Sequence, residues 1–316
     1  MVLKINFSDF WQGFERENNY FFNLLSKSYD LIISSEPEIL FYSCYGNEYL
    51  RYSCIRIFYT PENMRPDFSG CDFAMTFDYL ENPRHFRLPL YILYIEQKKN
   101  LENLLVTYSE EQAIKIWESK TKFCCIVVSN SLAKKRIGFY NKLSKYKHVD
   151  SGGRYLNNIN GPVADKLEFI KDYKFVIAFE NSSRSGYTTE KIIEPFMVNS
   201  IPIYWGNPNI DSEFNLKRFI NYSKAESDEA VIERILEIDG DRQKAINMLM
   251  QPCFAGNKLP NSLMEEKVFE FIKHIVDNKD TIHPIAKSLL RIKHSILLKR
   301  DIAKHFVFKK MKRNFR

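Results

Sequence analysis

Residues 175–208 read FVIAFENSSRSGYTTEKIIEPFMVNSIPIYWGNP. The first five residues are a continuous apolar run, which is typical of a buried strand, and a polar loop follows. A threonine at 188 or 189 can cap a helix whose first turn holds Glu190 and Lys191, and Pro195 is expected to kink that helix. IPIY at 201–204 then predicts the next strand. The order strand, helix, strand predicts a parallel βαβ unit.

The loop between these predicted elements is a candidate ligand site. In an open parallel sheet, ligands bind at the carboxyl ends of the strands, where this loop must lie. A helix N-terminus presents free N–H groups and the positive end of its dipole, which suit a phosphate. Lys191 adds a positive charge, and the Glu190 carboxylate can accept hydrogen bonds from two adjacent sugar hydroxyls. The residues predict a phosphorylated, hydroxyl-bearing ligand, and an ordinary capped βα turn is the alternative.

The same alternation of elements extends along the rest of the chain. Apolar runs predict further strands at 29–33, 55–59, 72–77 and 122–128, and helical spacing predicts helices at 110–117, 133–146, 189–198, 227–250 and 263–277. The pattern favours an α/β fold with parallel sheets. A domain boundary is expected near residue 115, because the strand at Lys122 begins anew after a charged helical stretch.

Length and composition restrict the class of protein. A chain of 316 residues that is 45% hydrophobic can bury a large core, and its length suggests two domains, with one large domain as the alternative. The six cysteines form no CxxC pair and no zinc-ligand spacing with histidine, so a reduced, cytosolic setting is expected. The longest apolar run, at 88–95, is too short to span a membrane, and the N-terminus lacks the pattern of a secretory signal.

The net charge of +7 is concentrated at the C-terminus. Residues 287–316 hold eleven Lys or Arg against Asp301, a local balance of +10. Subtracting that from the total leaves −3 for residues 1–286, so general nucleic-acid binding is not favoured. Apolar residues recur in the tail at near-helical spacing, namely Leu289, Leu290, Ile292, Ile296, Leu297, Ile302 and Phe306. A basic amphipathic helix suits an anionic lipid surface, and a docked helix with a solvated basic face is the alternative.

Three sequence blocks carry a family resemblance. FENS at 179–182, YTTEK at 187–191 and IPIYWG at 201–206 stand in that order. Together they resemble the α-1,3/1,4-fucosyltransferases of glycosyltransferase family 10, especially the bacterial enzymes that build Lewis-type antigens. FYTPEN, CDFAMTFD and RLPLY, which begin at residues 58, 71 and 87, resemble further family blocks. The resemblance covers roughly residues 55–225.

The resemblance implies a GT-B arrangement of two Rossmann-like domains with a cleft between them. It implies an acceptor-binding domain at 1–115 and a GDP-fucose-binding domain at 116–285, with the basic amphipathic tail at 286–316. No cofactor is expected, because cationic side chains and a helix N-terminus can neutralise the leaving diphosphate, and a divalent metal would at most stimulate. Asp239-Gly240-Asp241 is the single D-x-D triplet and is interpreted as a turn, so no metal site is predicted.

The resemblance implies that Glu62 is the catalytic residue, because it matches the family's general base. A positioned carboxylate can remove the proton of an acceptor hydroxyl. From the residues alone a surface turn is the alternative, because Thr-Pro-Glu-Asn is also good turn chemistry. The family's glycine in this block is Pro61 here.

The donor would be held by residues of the second predicted domain. Arg136 matches the arginine that grips the diphosphate, although a shift of one position to Lys135 or Lys134 is an alternative. Lys191 would be the second diphosphate contact and Glu190 the ribose contact. The remaining matched donor contacts are Asn181 and Tyr187. Whether Glu180 contacts sugar or serves the structure stays open.

The resemblance therefore implies an inverting α-1,3-fucosyltransferase. Its donor would be GDP-β-L-fucose and its acceptor the N-acetylglucosamine of a terminal or internal N-acetyllactosamine, giving a Lewis x type product in lipopolysaccharide or another surface glycan. Alternatives are α-1,4 regiochemistry, a GT-B transferase with another nucleotide sugar, and a non-catalytic binding module. The expected location is the cytoplasm, with the tail attached to the inner face of the cytoplasmic membrane.

Overall fold

The computed structural model describes residues 1–296 and residue 298. The chain divides into two compact units, each with its own parallel sheet. The first unit contains Met1–Thr76, Leu80–Leu88 and the described residues from Met264, and the second contains Phe77–Tyr79 and Pro89–Leu263. The two parallel sheets confirm the predicted α/β class. The limits expected at residues 115 and 285 refer to functional domains and stay predictions.

The sheet of the first unit has six strands within the described residues, in the order β2-β1-β3-β4-β5-β6. They are β1 (Val2–Ser8), β2 (Asp30–Ile33), β3 (Ile39–Tyr42), β4 (Ile55–Tyr59), β5 (Phe73–Thr76) and β6 (His85–Arg87), and helix α1 (Tyr20–Ser26) follows β1. Every residue of β3 and β4 is buried, as expected for inner strands of a parallel sheet that is covered on both faces.

The sheet of the second unit has the order β11-β10-β9-β7-β8 in the described chain. Its strands are β7 (Lys122–Ile126), β8 (Val149–Ser151), β9 (Tyr173–Phe179), β10 (Ile201–Trp205) and β11 (Ile220–Asn221). Its helices are α2 (Leu90–Lys98), α3 (Leu101–Leu104), α4 (Glu110–Ser119), α5 (Lys134–Leu143), α6 (Lys166–Ile170), α7 (Glu190–Met197), α8 (Asp228–Gly240) and α9 (Arg242–Leu249). Helix α7 continues through Pro195.

The helix predicted over 227–250 is in fact two helices. The Asp241 carboxylate accepts hydrogen bonds from the backbone N–H groups of Gln243 and Lys244, so it caps α9 and ends α8. Asp239 is partly buried in the last turn of α8, where its carboxylate pairs with Lys174 at 2.9 Å and with Lys147. The D-x-D triplet is thus a helix junction whose two carboxylates have separate structural partners.

The last described segment packs on the first unit. Helix α10 (Glu265–Asp277) is followed by three polar contacts, made by Ile285 and His294. The N–H of Ile285 donates to the Asp72 carboxylate at 2.7 Å. The His294 ring lies 2.8 Å from Asp67 and 2.6 Å from the Tyr49 hydroxyl. The segment is therefore anchored up to His294, while Leu297, Ile302 and Phe306 of the predicted tail helix lie outside the described residues. Among residues 1–296 and 298, no helix has both the length and the hydrophobicity that a membrane span requires.

Lys120 connects the ends of two helices in the second unit. Its side chain is buried, and its ammonium donates to the carbonyl of Lys171 at the end of α6 and to that of Val198 at the end of α7. Carbonyls at helix C-termini lack partners within the helix, so a buried cation there satisfies them. Burial lowers the pKa of Lys120 to about 8.

The lowered pKa of Lys120 can be tested by comparing how the free energy of unfolding of the wild type and of Lys120→Met depends on pH. The pKa in the folded state lies below the ordinary value of 10.5, so between about pH 8 and pH 10.5 the unfolded chain binds the proton more tightly. The contribution of Lys120 to the free energy of unfolding therefore rises with pH across this window. Urea denaturation should show the wild type gaining on the order of 2 kcal/mol relative to the variant from the lower to the upper end. A constant difference would contradict the assignment, and Lys115→Met, on the exposed face of α4, is the control.

Candidate active site

The strand order of the second sheet defines where a ligand is expected. Strand β9 pairs with β7 on one side and with β10 on the other, whereas β8 lies beyond β7. The chain therefore reverses its direction of winding between β7 and β9. In open parallel sheets, the crevice at the carboxyl ends of two such strands is the usual ligand site. Helix α5 follows β7, and the polar residues before α7 follow β9.

Glu180 is the first residue after β9 and is buried. Its carboxylate accepts hydrogen bonds from the N–H of Thr189 at 2.8 Å and from the Thr189 hydroxyl at 2.7 Å. Thr189 is the N-cap residue of α7, as predicted, but its hydroxyl bonds to Glu180 and not to a helix N–H in the described structure. A glutamate that accepts from the N-cap N–H is half of a capping box, supplied here from outside the helix. The sequence left open whether Glu180 contacts sugar or serves the structure, and these hydrogen bonds favour the structural role.

Gly206 leaves the room that the Glu180 side chain occupies. A Cβ atom at position 206 would lie 2.3 Å from Cγ of Glu180 and 2.7 Å from the hydroxyl of Tyr204. Both distances are far below van der Waals contact, so any other residue would displace the carboxylate. The glycine at the end of the IPIYWG block is therefore required by the packing of the Glu180 side chain.

Lys191 lies between two carboxylates in the first turn of α7. Its ammonium is 3.0 Å from Glu190 and 3.3 Å from Glu180, and it donates to the Thr189 hydroxyl at 2.9 Å. Burial alone would lower the pKa of Lys191, but Glu180 and Glu190 together raise it above its ordinary value. Burial likewise opposes ionisation of Glu190, yet Lys191 and Lys166 lower its pKa to about 2. Near neutral pH the Lys191 ammonium and the Glu190 carboxylate are therefore both charged at the N-terminus of α7.

Arg136 brings a second cation to the end of β9. Its side chain is 6% exposed, and Nη2 donates to the carbonyl of Phe179 and to Oδ1 of Asn181, the latter at 3.0 Å. Its Nε makes no hydrogen bond to the described residues. The neighbouring Lys135 instead donates to the Tyr222 hydroxyl. Of these two neighbouring cations, Arg136 is therefore the one that contacts the end of β9, and its contact with a diphosphate stays a prediction.

Asn207 fixes the loop between β9 and α7, and sequence reasoning did not identify it. Its Oδ1 accepts from the N–H of Gly186 at 2.8 Å, and its Nδ2 donates to the Thr188 hydroxyl at 3.1 Å. Gly186 has φ of +80°, which suits glycine. Tyr187 is buried next to it and packs edge-on against Phe77, with ring centroids 5.0 Å apart. Neither contact could be predicted from local sequence, because Asn207 lies 21 residues from Gly186 and Phe77 lies 110 residues from Tyr187.

Glu62 belongs to the first unit, whereas the five predicted donor-binding residues belong to the second. It follows β4, so it lies at the carboxyl end of that strand. The side chain is partly exposed, and the Tyr45 hydroxyl donates to its Oε1 at 3.1 Å. The structure therefore groups Arg136, Asn181 and the α7 residues at one sheet edge and Glu62 at another. Among residues 1–296 and 298, no group of three or more His, Cys, Asp or Glu side chains is arranged to hold a metal ion.

Parallel α/β units with cationic side chains at a switch point are typical of nucleotide-binding proteins. Models of two families match the chain: the alpha-(1,3)-fucosyltransferase FucT N-terminal domain over residues 5–94, and the C-terminal region of glycosyltransferase family 10 (fucosyltransferase) over residues 117–248. Helicobacter pylori alpha-(1,3)-fucosyltransferase FucT is 30% identical over 89% of this chain and 67% of its own length. Drosophila melanogaster alpha-(1,3)-fucosyltransferase B is 28% identical over 61% of the chain and 46% of its own length.

A solved structure agrees with these matches. The crystal structure of an alpha1,3-fucosyltransferase with GDP-fucose superposes with a TM-score of 0.75 at 29% identity, covering 89% of this chain and 92% of the other. The chain belongs to glycosyltransferase family 10, the fucosyltransferases. The expected GT-B fold class with two Rossmann-like domains is confirmed. The chain spans about two thirds of the H. pylori relative and about half of the fly relative.

Glu180→Ala should destabilise the second unit strongly. It leaves the Thr189 N–H without its acceptor and Lys191 without the buried one of its two counter-charges, a loss of about 3 kcal/mol in the free energy of unfolding. Glu180→Gln keeps an acceptor oxygen and should lose less. Urea denaturation measures both, with exposed Glu168→Gln as the control. A loss below about 1 kcal/mol for Glu180→Ala would contradict the capping role.

Proposed function

We propose that this chain is an inverting α-1,3-fucosyltransferase that uses GDP-β-L-fucose. The proposed acceptor is the N-acetylglucosamine of an N-acetyllactosamine-like glycan, which would yield a Lewis x type product on lipopolysaccharide or another surface glycan. Family membership and the GDP-fucose complex of a related enzyme support the donor. The observation that carries the proposal is the placement of two cations, the buried Arg136 and the partly exposed Lys191, beside the N-terminus of α7.

The donor contacts follow from the charges at that edge. A diphosphate carries negative charge that Arg136 and Lys191 can neutralise, the first through a planar fork and the second as a compact ammonium. The Glu190 carboxylate, ionised at neutral pH, can accept from both ribose hydroxyls. Asn181, which already orients Arg136, and Tyr187 would complete the surroundings of the phosphates and fucose.

The proposed reaction is a single displacement. Glu62 removes the proton from the acceptor hydroxyl, whose oxygen forms a bond to the anomeric carbon of fucose. The bond from that carbon to the β-phosphate oxygen breaks, and its electron pair leaves with GDP. The β-linked donor thus becomes an α-fucoside. Arg136 and Lys191 stabilise the charge that develops on the leaving diphosphate, so no metal is required, and a divalent ion would at most stimulate.

Donor choice and the role of Glu62 can be tested together. Isothermal titration should give tight binding of GDP-fucose and weaker binding of GDP-mannose and UDP-galactose. Glu62→Gln should keep the Kd for GDP-fucose, because the side chain belongs to the acceptor side, and lose about 10²-fold or more in kcat. Transfer from labelled GDP-fucose to a panel of acceptors, followed by NMR of each product, identifies the acceptor and the linkage that is formed.

Three results would contradict parts of this proposal. Tight binding of UDP-galactose alone would show that GDP-fucose is not the donor. An α-1,4-linked product would show that fucose is transferred to O4 and not to O3 of N-acetylglucosamine. Full transfer by Glu62→Gln would refute the assigned base. Glu118→Gln, an exposed position on α4, is the matched control and should retain the wild-type rate.

The tail is proposed to attach the enzyme to an anionic membrane surface. Leu289 is 83% exposed and Ile296 is 61% exposed, whereas His294 between them faces the protein. Eight further Lys or Arg residues follow within 297–316. Apolar residues together with Lys and Arg bind anionic headgroups by burial and by charge. The proposed location is the inner face of the cytoplasmic membrane, where lipid-linked glycan acceptors would be present.

Deleting residues 297–316 should abolish co-sedimentation with vesicles that contain anionic lipid. The truncation keeps His294 and its contacts with Asp67 and Tyr49, so the first unit should unfold at the same urea concentration as the full chain. Neutral phosphatidylcholine vesicles serve as the control and should bind neither chain. Unchanged sedimentation of the truncated chain with anionic vesicles would reject the lipid-binding role.

A further inference from the structure

Three loops meet at the carboxyl edge of the first sheet. Strand β3 pairs with β1 on one side and with β4 on the other, with Ser8 opposite Tyr42 and Tyr42 opposite Phe58. The segments that follow these three strands therefore lie side by side. The third of them contains Glu62, so its neighbours can determine how that carboxylate is held.

Asp9 joins the first loop to the second. Its carboxylate accepts hydrogen bonds from the N–H groups of Glu48 at 2.9 Å and Tyr49 at 2.8 Å, and its carbonyl accepts from the N–H of Tyr45 at 3.0 Å. A Cβ on Gly46 would lie 2.3 Å from the Asp9 carboxylate, so the loop packs closely on it. Asp9 itself has φ of +58°, an unfavourable conformation for a residue other than glycine. Such strain persists where surrounding contacts fix the backbone, and it is frequent at functional sites.

The second loop in turn holds the third at two points. The Tyr45 hydroxyl donates to Oε1 of Glu62 at 3.1 Å. Thr60 accepts from the N–H of Glu62 at 3.0 Å and donates to the thiol of Cys44 at 3.3 Å. Glu62 is therefore fixed through its backbone by Thr60 and through one carboxylate oxygen by Tyr45.

We propose that Tyr45 is a positioning residue for Glu62, held in place by Asp9. The proposal rests on the assignment of Glu62 as the base in the proposed function. A glutamate side chain has three rotatable bonds, and a partly exposed one samples several rotamers. The Tyr45 hydroxyl engages one carboxylate oxygen and fixes the carboxylate plane, so that the second oxygen can receive the proton of the acceptor hydroxyl. Proton transfer requires such alignment at hydrogen-bond distance.

Tyr45→Phe tests the proposal because it removes one oxygen and keeps the ring. We expect kcat to fall about tenfold, as part of the 10²–10⁴-fold that a positioned base supplies. The Kd for GDP-fucose and the urea midpoint of unfolding should match those of the wild type. In a Glu62→Gln background, Tyr45→Phe should cause no further loss, since a positioning residue acts only through its base. Tyr146→Phe, whose side chain is 61% exposed in the second unit, is the matched control.

The outcomes separate this inference from the function on which it rests. A wild-type kcat for Tyr45→Phe, with Glu62→Gln inactive, overturns the positioning role and leaves the base in place. Full activity of Glu62→Gln overturns the base and the inference with it. A lower unfolding midpoint for Tyr45→Phe, or losses that multiply in the double variant, would show that Tyr45 serves the structure and not the base.

Discussion

The carboxylate of Glu180 lies out of contact with solvent between the last residue of β9 and the first turn of α7, where it accepts both polar hydrogens of Thr189. An ionised carboxylate is costly to bury unless it is hydrogen-bonded and paired, and Lys191 supplies the counter-charge at 3.3 Å. Every neighbouring feature follows from this arrangement. Gly206 must lack a side chain, α7 must begin at Glu190, and Lys191 must point back toward the strand end.

The same arrangement determines the charge available to a ligand. Glu180 and Glu190 together hold Lys191 in its cationic form, and Lys191 and Lys166 keep Glu190 ionised. Arg136 reaches the edge from α5 and is oriented by Phe179 and Asn181. A diphosphate can therefore be bound by charges that are positioned before it arrives, which reduces the reorganisation that transfer requires. The proposed base, Glu62, belongs to a different unit, in which Asp9 and Tyr45 organise the loop around it.

Much of this could be predicted from local sequence. Strand β4 occupies the predicted residues 55–59, and α7 and β10 lie within one residue of their predicted limits, because apolar runs and turn residues act locally. The partners of Glu180 could not be predicted, since they lie nine residues away at Thr189 and 26 residues away at Gly206 and meet only after the sheet forms. The contact of Arg136, and not Lys135, with the end of β9 depends on the rotation of α5 against β9, which spacing does not fix. The Asp241 cap was missed because the helical apolar spacing continues across it.

A crystal structure of this chain with GDP-fucose tests the central claim most directly. The account predicts diphosphate oxygens within about 3 Å of the Arg136 guanidinium and the Lys191 ammonium, ribose hydroxyls on Glu190, and Glu180 still bonded to Thr189. A diphosphate bound away from both cations, or a Glu180 carboxylate that leaves Thr189 to contact the sugar, would contradict it.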